Sequence, residues 1–204
     1  RDILWRPSPE RAEASRLVAF QTWLAAEKSR AFKDYNALWE WSVSDLEGFW
    51  SALAEFFALE FDTAPTSVLG SRCMPGAEWF PGSQLNWAHH MLRQAEKTPE
   101  TQALVVHSET FGRVDLTWAE LADRVASVAS HLRQMGVGQG DRVTAVLPNT
   151  ETAIIACLAA TSLGAIWSLC APDMGHVAIL DRFRQIEPKV LIYQDGYVHA
   201  GKTM

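Results

Sequence analysis

Apolar residues recur at helical spacing in two stretches near the start of the chain. In residues 10–30 they fall three and four positions apart, which places them on one face of a helix. These residues are Leu17, Phe20, Trp23 and Leu24. Residues 44–59 repeat the pattern, and Ser44 with Glu47 forms an S-x-x-E capping box at the start. This second stretch would bury Leu46, Phe49, Trp50, Leu53, Phe56 and Phe57. The sequence therefore predicts two amphipathic helices.

An irregular connector follows these helices. Residues 62–83 hold three prolines and three glycines, which interrupt regular structure. We therefore predict a helical extension with its connector over residues 1–83 and a second domain over 84–204. Five tryptophans lie in the first quarter, at Trp5, Trp23, Trp39, Trp41 and Trp50. They are expected to be packing anchors rather than ligand-stacking residues.

Short β-rich runs alternate with helices after the connector. The expected strands are 103–107, 114–116, 142–147, 165–169 and 190–193, and helices are expected near 85–96, from Thr117 and between the later strands. Such alternation is typical of an α/β fold with a mostly parallel sheet covered by helices.

The helix after Thr117 carries the clearest signals. Thr117 and Glu120 form a capping box, and Gly136 stands where a left-handed cap would end the helix. Its core stripe is Leu121, Val125, Val128, Leu132 and Met135. Asp173 is a second expected helix cap, ahead of Val177, Leu180 and Phe183.

Composition and charge exclude several classes of partner. The 204 residues carry a formal net charge of −6 and no run of Lys and Arg, so a nucleic-acid partner is not expected. The longest apolar stretch, 153–170, is broken by Thr161, Ser162 and Gly164 and is shorter than the roughly 20 apolar residues of a membrane span. A membrane partner is not expected either.

The cysteines and the first residues favour a cytoplasmic location. Cys73, Cys157 and Cys170 are odd in number and lack C-x-x-C spacing, so neither a disulfide framework nor a zinc site is predicted. The start of the chain does not show the charged and apolar pattern of a secretory leader. Reduced thiols in the cytoplasm are the expectation.

No local motif predicts catalytic or metal-binding residues. Residues 136–141 (GVGQGD) have the glycine spacing of a dinucleotide loop, but they leave a helix and enter a strand, whereas such a loop follows a strand and opens a helix. A plain turn is predicted. His89 and His90 are adjacent, so on a helix they point about 100° apart and do not share a metal.

Several motifs together resemble the adenylate-forming enzymes. They are residues 116–121 (LTWAEL), 136–143 (GVGQGDRV) and 147–149 (LPN). Two upstream segments, 45–50 (DLEGFW) and 79–86 (WFPGSQLN), resemble the N-terminal extension of acetyl-CoA-synthetase-like members. A further series is most similar to the acetoacetate-activating branch: 164–168 (GAIWS), 172–173 (PD), 180–183 (LDRF), 185–191 (QIEPKVL) and 195–197 (DGY).

The resemblance implies a two-step ligase. Such enzymes join acetoacetate to the α-phosphate of ATP with Mg²⁺, giving acetoacetyl-AMP, and then transfer the acyl group to CoA. The ATP and Mg²⁺ sites and a mobile lysine are expected in the remainder of the same polypeptide, beyond residue 204, so residues 1–204 alone should be inactive. Two alternatives remain open: another short-chain acyl-CoA synthetase, such as an acetyl or propionyl enzyme, and a non-catalytic interaction module.

Two segments are expected to touch CoA. Residues His199, Ala200, Gly201 and Lys202 resemble a basic turn that carries two arginines in acetyl-CoA synthetases and contacts the nucleotide end of CoA. His199 and Lys202 replace those arginines, which loses the bidentate fork; the alternative is a solvated tail. Pro172 and Asp173 match the place where the pantetheine arm passes in relatives, which have glycines there, and the alternative for Asp173 is a helix cap.

Overall fold

The computed structural model describes residues 4–109, 112–199 and 201–203, and its chain divides into two units, 1–85 and 86–204. The first unit is helical, with two isolated bridges in the connector that follows its helices. The second unit contains all the named strands. Among the described residues, no helix has both the length and the apolar character that crossing a membrane requires.

Four helices build the first unit around a small aromatic core. They are α1 (Pro9–Glu13), α2 (Arg16–Glu27), α3 (Tyr35–Ser44) and α4 (Leu46–Phe56). The core residues are Phe20, Leu24, Leu38, Trp41 and Ala52. The Phe20 ring lies 5.1 Å from that of Phe56, and the Trp41 ring lies 5.5 Å from that of Phe49. These edge-on and tilted contacts are the arrangements that aromatic rings prefer.

Both predicted helices of the first unit have different ends in the structure. The stretch 10–30 is two helices, because Ser15 begins a new one by accepting the Val18 N–H at 3.3 Å. Ser44 is not a cap but the last residue of α3, a helix that the apolar spacing did not reveal. Asp45 caps α4 instead, since its carboxylate accepts the Gly48 N–H at 3.0 Å.

The expected apolar faces are only partly buried. Trp41 is buried and Trp23 stacks against Phe20, as packing anchors should, but Trp5 and Trp39 are more than half exposed. Leu17, Trp50 and Phe57 are also substantially exposed. Periodicity identifies the helical face correctly here, but it does not show how far the neighbouring elements cover that face.

The second unit is an α/β structure. Its helices are α5 (Trp87–Leu92), α6 (Gln94–Lys97), α7 (Trp118–Gln134), α8 (Glu151–Ser162) and α9 (His176–Ile186), with a short 3-10 helix at Pro172–Met174. Its strands are β1 (Gln102–Ser108), β2 (Gly112–Thr117), β3 (Arg142–Val146), β4 (Ile166–Cys170), β5 (Val190–Tyr193), β6 (Val198–His199) and β7 (Lys202–Thr203).

A parallel three-stranded sheet lies at the centre of this unit. Its order is β4-β3-β5, with Val143 opposite both Trp167 and Val190. β1 and β2 form a separate antiparallel hairpin, and so do β6 and β7. Helices α7 and α8 cover one face of the sheet with a core that includes Leu132 and Ala159. The predicted α/β class with a parallel, helix-covered sheet is therefore confirmed.

The capping signals of α7 are confirmed, and its last stripe residue is not. Thr117 Oγ1 accepts the Glu120 N–H at 3.2 Å, and the Glu120 carboxylate accepts the Thr117 N–H at 2.8 Å. Gly136 has a φ of 80°, a conformation that glycine adopts without strain. Met135 points away from the core and is 59 % exposed, while Ala129 is buried.

The helix cap predicted at Asp173 is wrong. Asp173 lies inside the short 3-10 helix that Pro172 begins, and α9 starts only at His176. Gly175 separates the two with a φ of 76°, so the chain changes direction before α9 begins. The N-cap of α9 is consequently Gly175, and no side chain among the described residues caps this helix.

Residues 136–141 are the helix-to-strand turn that the sequence predicts. Lys189 reaches this turn from the start of β5, and its ammonium donates to the Asp141 carboxylate at 2.9 Å. That hydrogen bond, followed by the one from the Gly138 N–H, lowers the pKa of Asp141. The guanidinium of Arg142 donates to the carbonyl of Ile186 at 2.9 Å. These contacts connect the turn, the start of β3, the end of α9 and the start of β5 at the amino ends of the parallel strands.

Candidate functional site

A cleft of about 480 Å³ lies at the carboxyl ends of β3 and β4. The chain runs from β3 through α8 to β4 on one side, and from β4 through α9 back past β3 to β5 on the other. Because parallel crossovers are right-handed, α8 and α9 lie on opposite faces of the sheet. The topological switch point, where open α/β sheets bind their ligands, therefore lies between β3 and β5, and the cleft reaches it because Tyr197 and Val198, which follow β5, also line it.

The two strand ends supply the floor and one wall of the cleft. After β3 come Pro148, Asn149 and Thr150, which lead into α8, and after β4 come Ala171, Pro172 and Asp173, which lead into the 3-10 helix. The prediction that Pro172 and Asp173 stand at the carboxyl end of a strand is thus confirmed. Their contact with a ligand stays a prediction.

The other predicted segment reaches the rim of the same cleft. His199 pairs with Lys202 across the β6–β7 hairpin, and Gly201 between them has a φ of 73°. Val198 lines the cleft, whereas Lys202 is exposed. Ala200 and the side chain of His199 lie outside the described part of the chain. The fold thus brings the two predicted segments to one region, although they are distant in sequence.

Two groups of lining residues were not predicted from the sequence. His107, Ser108 and Glu109 come from the end of β1, and the Glu109 carboxylate accepts the Gly201 N–H at 2.9 Å. Asn149 and Thr150 follow β3. Ligands bind at the carboxyl ends of parallel strands, so the sequence could have indicated Asn149 and Thr150 in the same way as Asp173. No local pattern indicates Glu109, because its position depends on tertiary structure.

Thr150, one of the lining residues, carries a buried hydroxyl. It is the N-cap of α8, but its hydroxyl makes no capping bond. Its Oγ1 is buried and has no hydrogen-bond partner among the described residues. A buried hydroxyl without a partner is uncommon because it loses its hydration without compensation.

The cleft is lined by both apolar and polar groups, a composition that suits a small-molecule ligand. Leu147, Ala153, Leu169 and Tyr197 offer apolar surface, while Asn149 and Ser108 offer polar groups. Over residues 4–109, 112–199 and 201–203, no set of three or more His, Cys, Asp and Glu residues is arranged to hold a metal. A larger depression of about 700 Å³ is lined only by residues 174–184, along α9 and the turn before it, so separate segments do not converge there.

Comparisons with known proteins identify the family to which this chain is similar. Residues 91–203 match the family of AMP-binding enzymes, and residues 35–91 match the acetyl-coenzyme A synthetase N-terminus. Acetoacetyl-coenzyme A synthetase of Rhizobium meliloti (strain 1021) is 40% identical over 199 residues, and acetoacetyl-CoA synthetase of Macaca fascicularis is 38% identical over 205. Each alignment covers 98% of this chain and 30% of the relative.

A solved structure gives the same relationship. The acetoacetyl-CoA synthetase from Streptomyces lividans superposes with a TM-score of 0.92 at 46% sequence identity, covering 100% of this chain and 32% of that protein. The chain therefore spans about a third of the relatives that it matches. With the family match extending over more than half of its residues, the chain belongs to the AMP-binding enzymes.

Proposed function

We propose that this chain forms part of an acetoacetate:CoA ligase. In such an enzyme ATP converts the carboxylate of acetoacetate into an acyl adenylate, and the thiol of CoA then displaces AMP. The observation that carries the proposal is the identity of 40% and 46% to acetoacetyl-CoA synthetases, sustained over nearly the whole chain. We propose that residues 1–83 are the extension of this enzyme and that 84–204 begin its AMP-binding domain.

In this proposal the cleft receives CoA. A pantetheine arm has an apolar backbone with two amide groups, and the cleft offers Leu147 and Leu169 beside Asn149 and Thr150. Pro172 and Asp173 would flank the arm, and the turn of His199, Ala200, Gly201 and Lys202 would meet the nucleotide end of CoA, where the Lys202 ammonium offsets phosphate charge.

The groups that bind ATP and Mg²⁺ would come from the rest of a longer polypeptide. Phosphoryl and adenylyl transfers need cations and N–H donors around the phosphates. None of the described residues is given the role of binding ATP phosphates or Mg²⁺ here, because the chain spans about 30% of its curated relatives. An exposed free thiol at Cys73 favours a reducing compartment, so we place the enzyme in the cytoplasm.

The test is an assay of the full-length natural protein for thioester formation. With ATP, Mg²⁺ and CoA, acetoacetate should give a higher kcat/KM than acetate or propionate. Equal or faster reaction of acetate or propionate would refute acetoacetate as the substrate. Residues 1–204 alone should give no product. Turnover by this segment would refute the proposal that the ATP- and Mg²⁺-binding groups lie elsewhere in a longer polypeptide.

A further inference from the structure

Glu109 links two parts of the chain that are far apart in sequence. It follows β1, and its carboxylate Oε2 accepts the backbone N–H of Gly201 at a distance of 2.9 Å, across 92 positions. Gly201 stands in the turn of the β6–β7 hairpin, with a φ of 73°. A charged acceptor makes a stronger hydrogen bond to an N–H group than a neutral one does.

The hairpin that Glu109 holds has little structure of its own. β6 and β7 contain two residues each, and within the described residues they pair only with each other. A two-stranded hairpin is marginally stable by itself even when its strands are longer. The hydrogen bond from Gly201 to Glu109 is therefore an important constraint on where this hairpin lies.

This constraint acts at the rim of the cleft. Glu109 lines the cleft from the end of β1, and Tyr197 and Val198 line it from the segment that enters the hairpin. Lys202 directly follows Gly201 and pairs with His199. Fixing the Gly201 N–H consequently fixes the Cα of Lys202 beside the cleft.

We propose that Glu109 is a positioning residue for CoA: by holding the Gly201 N–H it keeps the Lys202 ammonium where a phosphate of the CoA nucleotide binds. The inference rests on the proposed function, because it takes CoA to be the ligand of the cleft. A carboxylate close to a phosphate is electrostatically unfavourable, and the hydrogen bond from Gly201 offsets that cost. Glu109→Gln keeps an acceptor oxygen and removes the charge, whereas Glu109→Ala removes both.

Calorimetric titration of CoA into the full-length natural protein tests the proposal. Glu109→Ala should raise the Kd for CoA roughly tenfold or more, as expected for one lost hydrogen bond to a charged group. Glu109→Gln should raise the Kd less than Glu109→Ala does, since an amide oxygen still accepts the N–H but without the charge. Glu100→Ala, which removes a carboxylate near the other end of β1, is the matched control and should leave the Kd unchanged.

A double-mutant cycle separates positioning from a general structural effect. If Glu109 acts through the ammonium, Glu109→Ala should have little further effect on the Kd once Lys202→Met has removed that ammonium. Additive effects of the two changes would overturn the proposal, as would an unchanged Kd in Glu109→Ala. Dephospho-CoA, which lacks the 3′-phosphate, shows which phosphate Lys202 contacts. If neither variant changes the Kd for dephospho-CoA, Lys202 contacts the 3′-phosphate. If both variants raise that Kd as much as they raise the Kd for CoA, Lys202 contacts the diphosphate.

Binding and turnover are measured separately in this design. A protein that binds CoA but forms no acetoacetyl-CoA refutes the proposed ligase and still tests Glu109. A protein that does not bind CoA overturns both proposals.

Discussion

Two threonines at helix N-termini provide a direct test of the buried hydroxyl in the cleft. Thr117 caps α7 through a complete capping box, whereas Thr150 stands at the N-cap of α8 with a buried Oγ1 that has no described partner. Replacement by valine preserves the side-chain shape and removes the hydroxyl. Thr117→Val should lower the free energy of unfolding by about 1 kcal/mol. Thr150→Val should leave it unchanged or raise it by up to about 1 kcal/mol, because a desolvated hydroxyl is removed.

The assay is thermal unfolding of the full-length natural protein, followed by calorimetry. Thr117→Val should lower the Tm by roughly 1 °C or less, because the matched relatives are about three times as long as this chain, and Thr150→Val should not lower it. A loss of stability in Thr150→Val as large as that in Thr117→Val would refute the reasoning, since it would show that the hydroxyl already has a partner.

Three further predictions concern the second unit. Gly164→Ala should lower the free energy of unfolding by about 1–3 kcal/mol, because φ is 71° there and a Cβ would lie 3.2 Å from Gln139. Gly138→Ala is the control and should leave that free energy almost unchanged. Urea denaturation measures both. Asp141→Asn should destabilise the protein above pH 4, because the folded state lowers the pKa of the Asp141 carboxyl. The difference in stability from the wild type should shrink as the pH falls below the ordinary pKa of 3.8. A difference that is the same at pH 3 and pH 7 would contradict this. The isolated 204-residue chain should self-associate in size-exclusion chromatography, since edge strand β5 exposes Tyr193, and Tyr193→Lys should reduce the association; a monomeric parent chain would count against it.

Local signals in the sequence predicted the elements whose interactions are local. The capping box of Thr117 and Glu120 and the left-handed Gly136 involve residues within a few positions of one another, and the structure contains both. The cap at Asp173 failed because Pro172 begins a separate 3-10 helix and Gly175 redirects the chain before α9. Spacing alone does not distinguish a cap from a polar residue one turn too early.

The candidate site was predictable only where it depends on strand ends. Asp173 follows a strand that the sequence identified, so its place at the edge of a parallel sheet could be expected. Glu109 could not be expected, because its hydrogen bond to Gly201 arises only when a hairpin and a distant turn meet. Exposure was equally hard to predict: Leu17 and Met135 have apolar side chains at helical spacing, yet the burial of each depends on which elements pack nearby.

The contact between Glu109 and Gly201 also orders the assembly of the cleft during protein synthesis. A ribosome produces β1, the α7 and α8 layer and strands β3 and β4 before it reaches Gly201. The rim is therefore completed last, after the segments that form its floor have already left the ribosome. A nascent chain can begin to form the core of this unit early, but the cleft becomes complete only when translation has passed the β6–β7 hairpin.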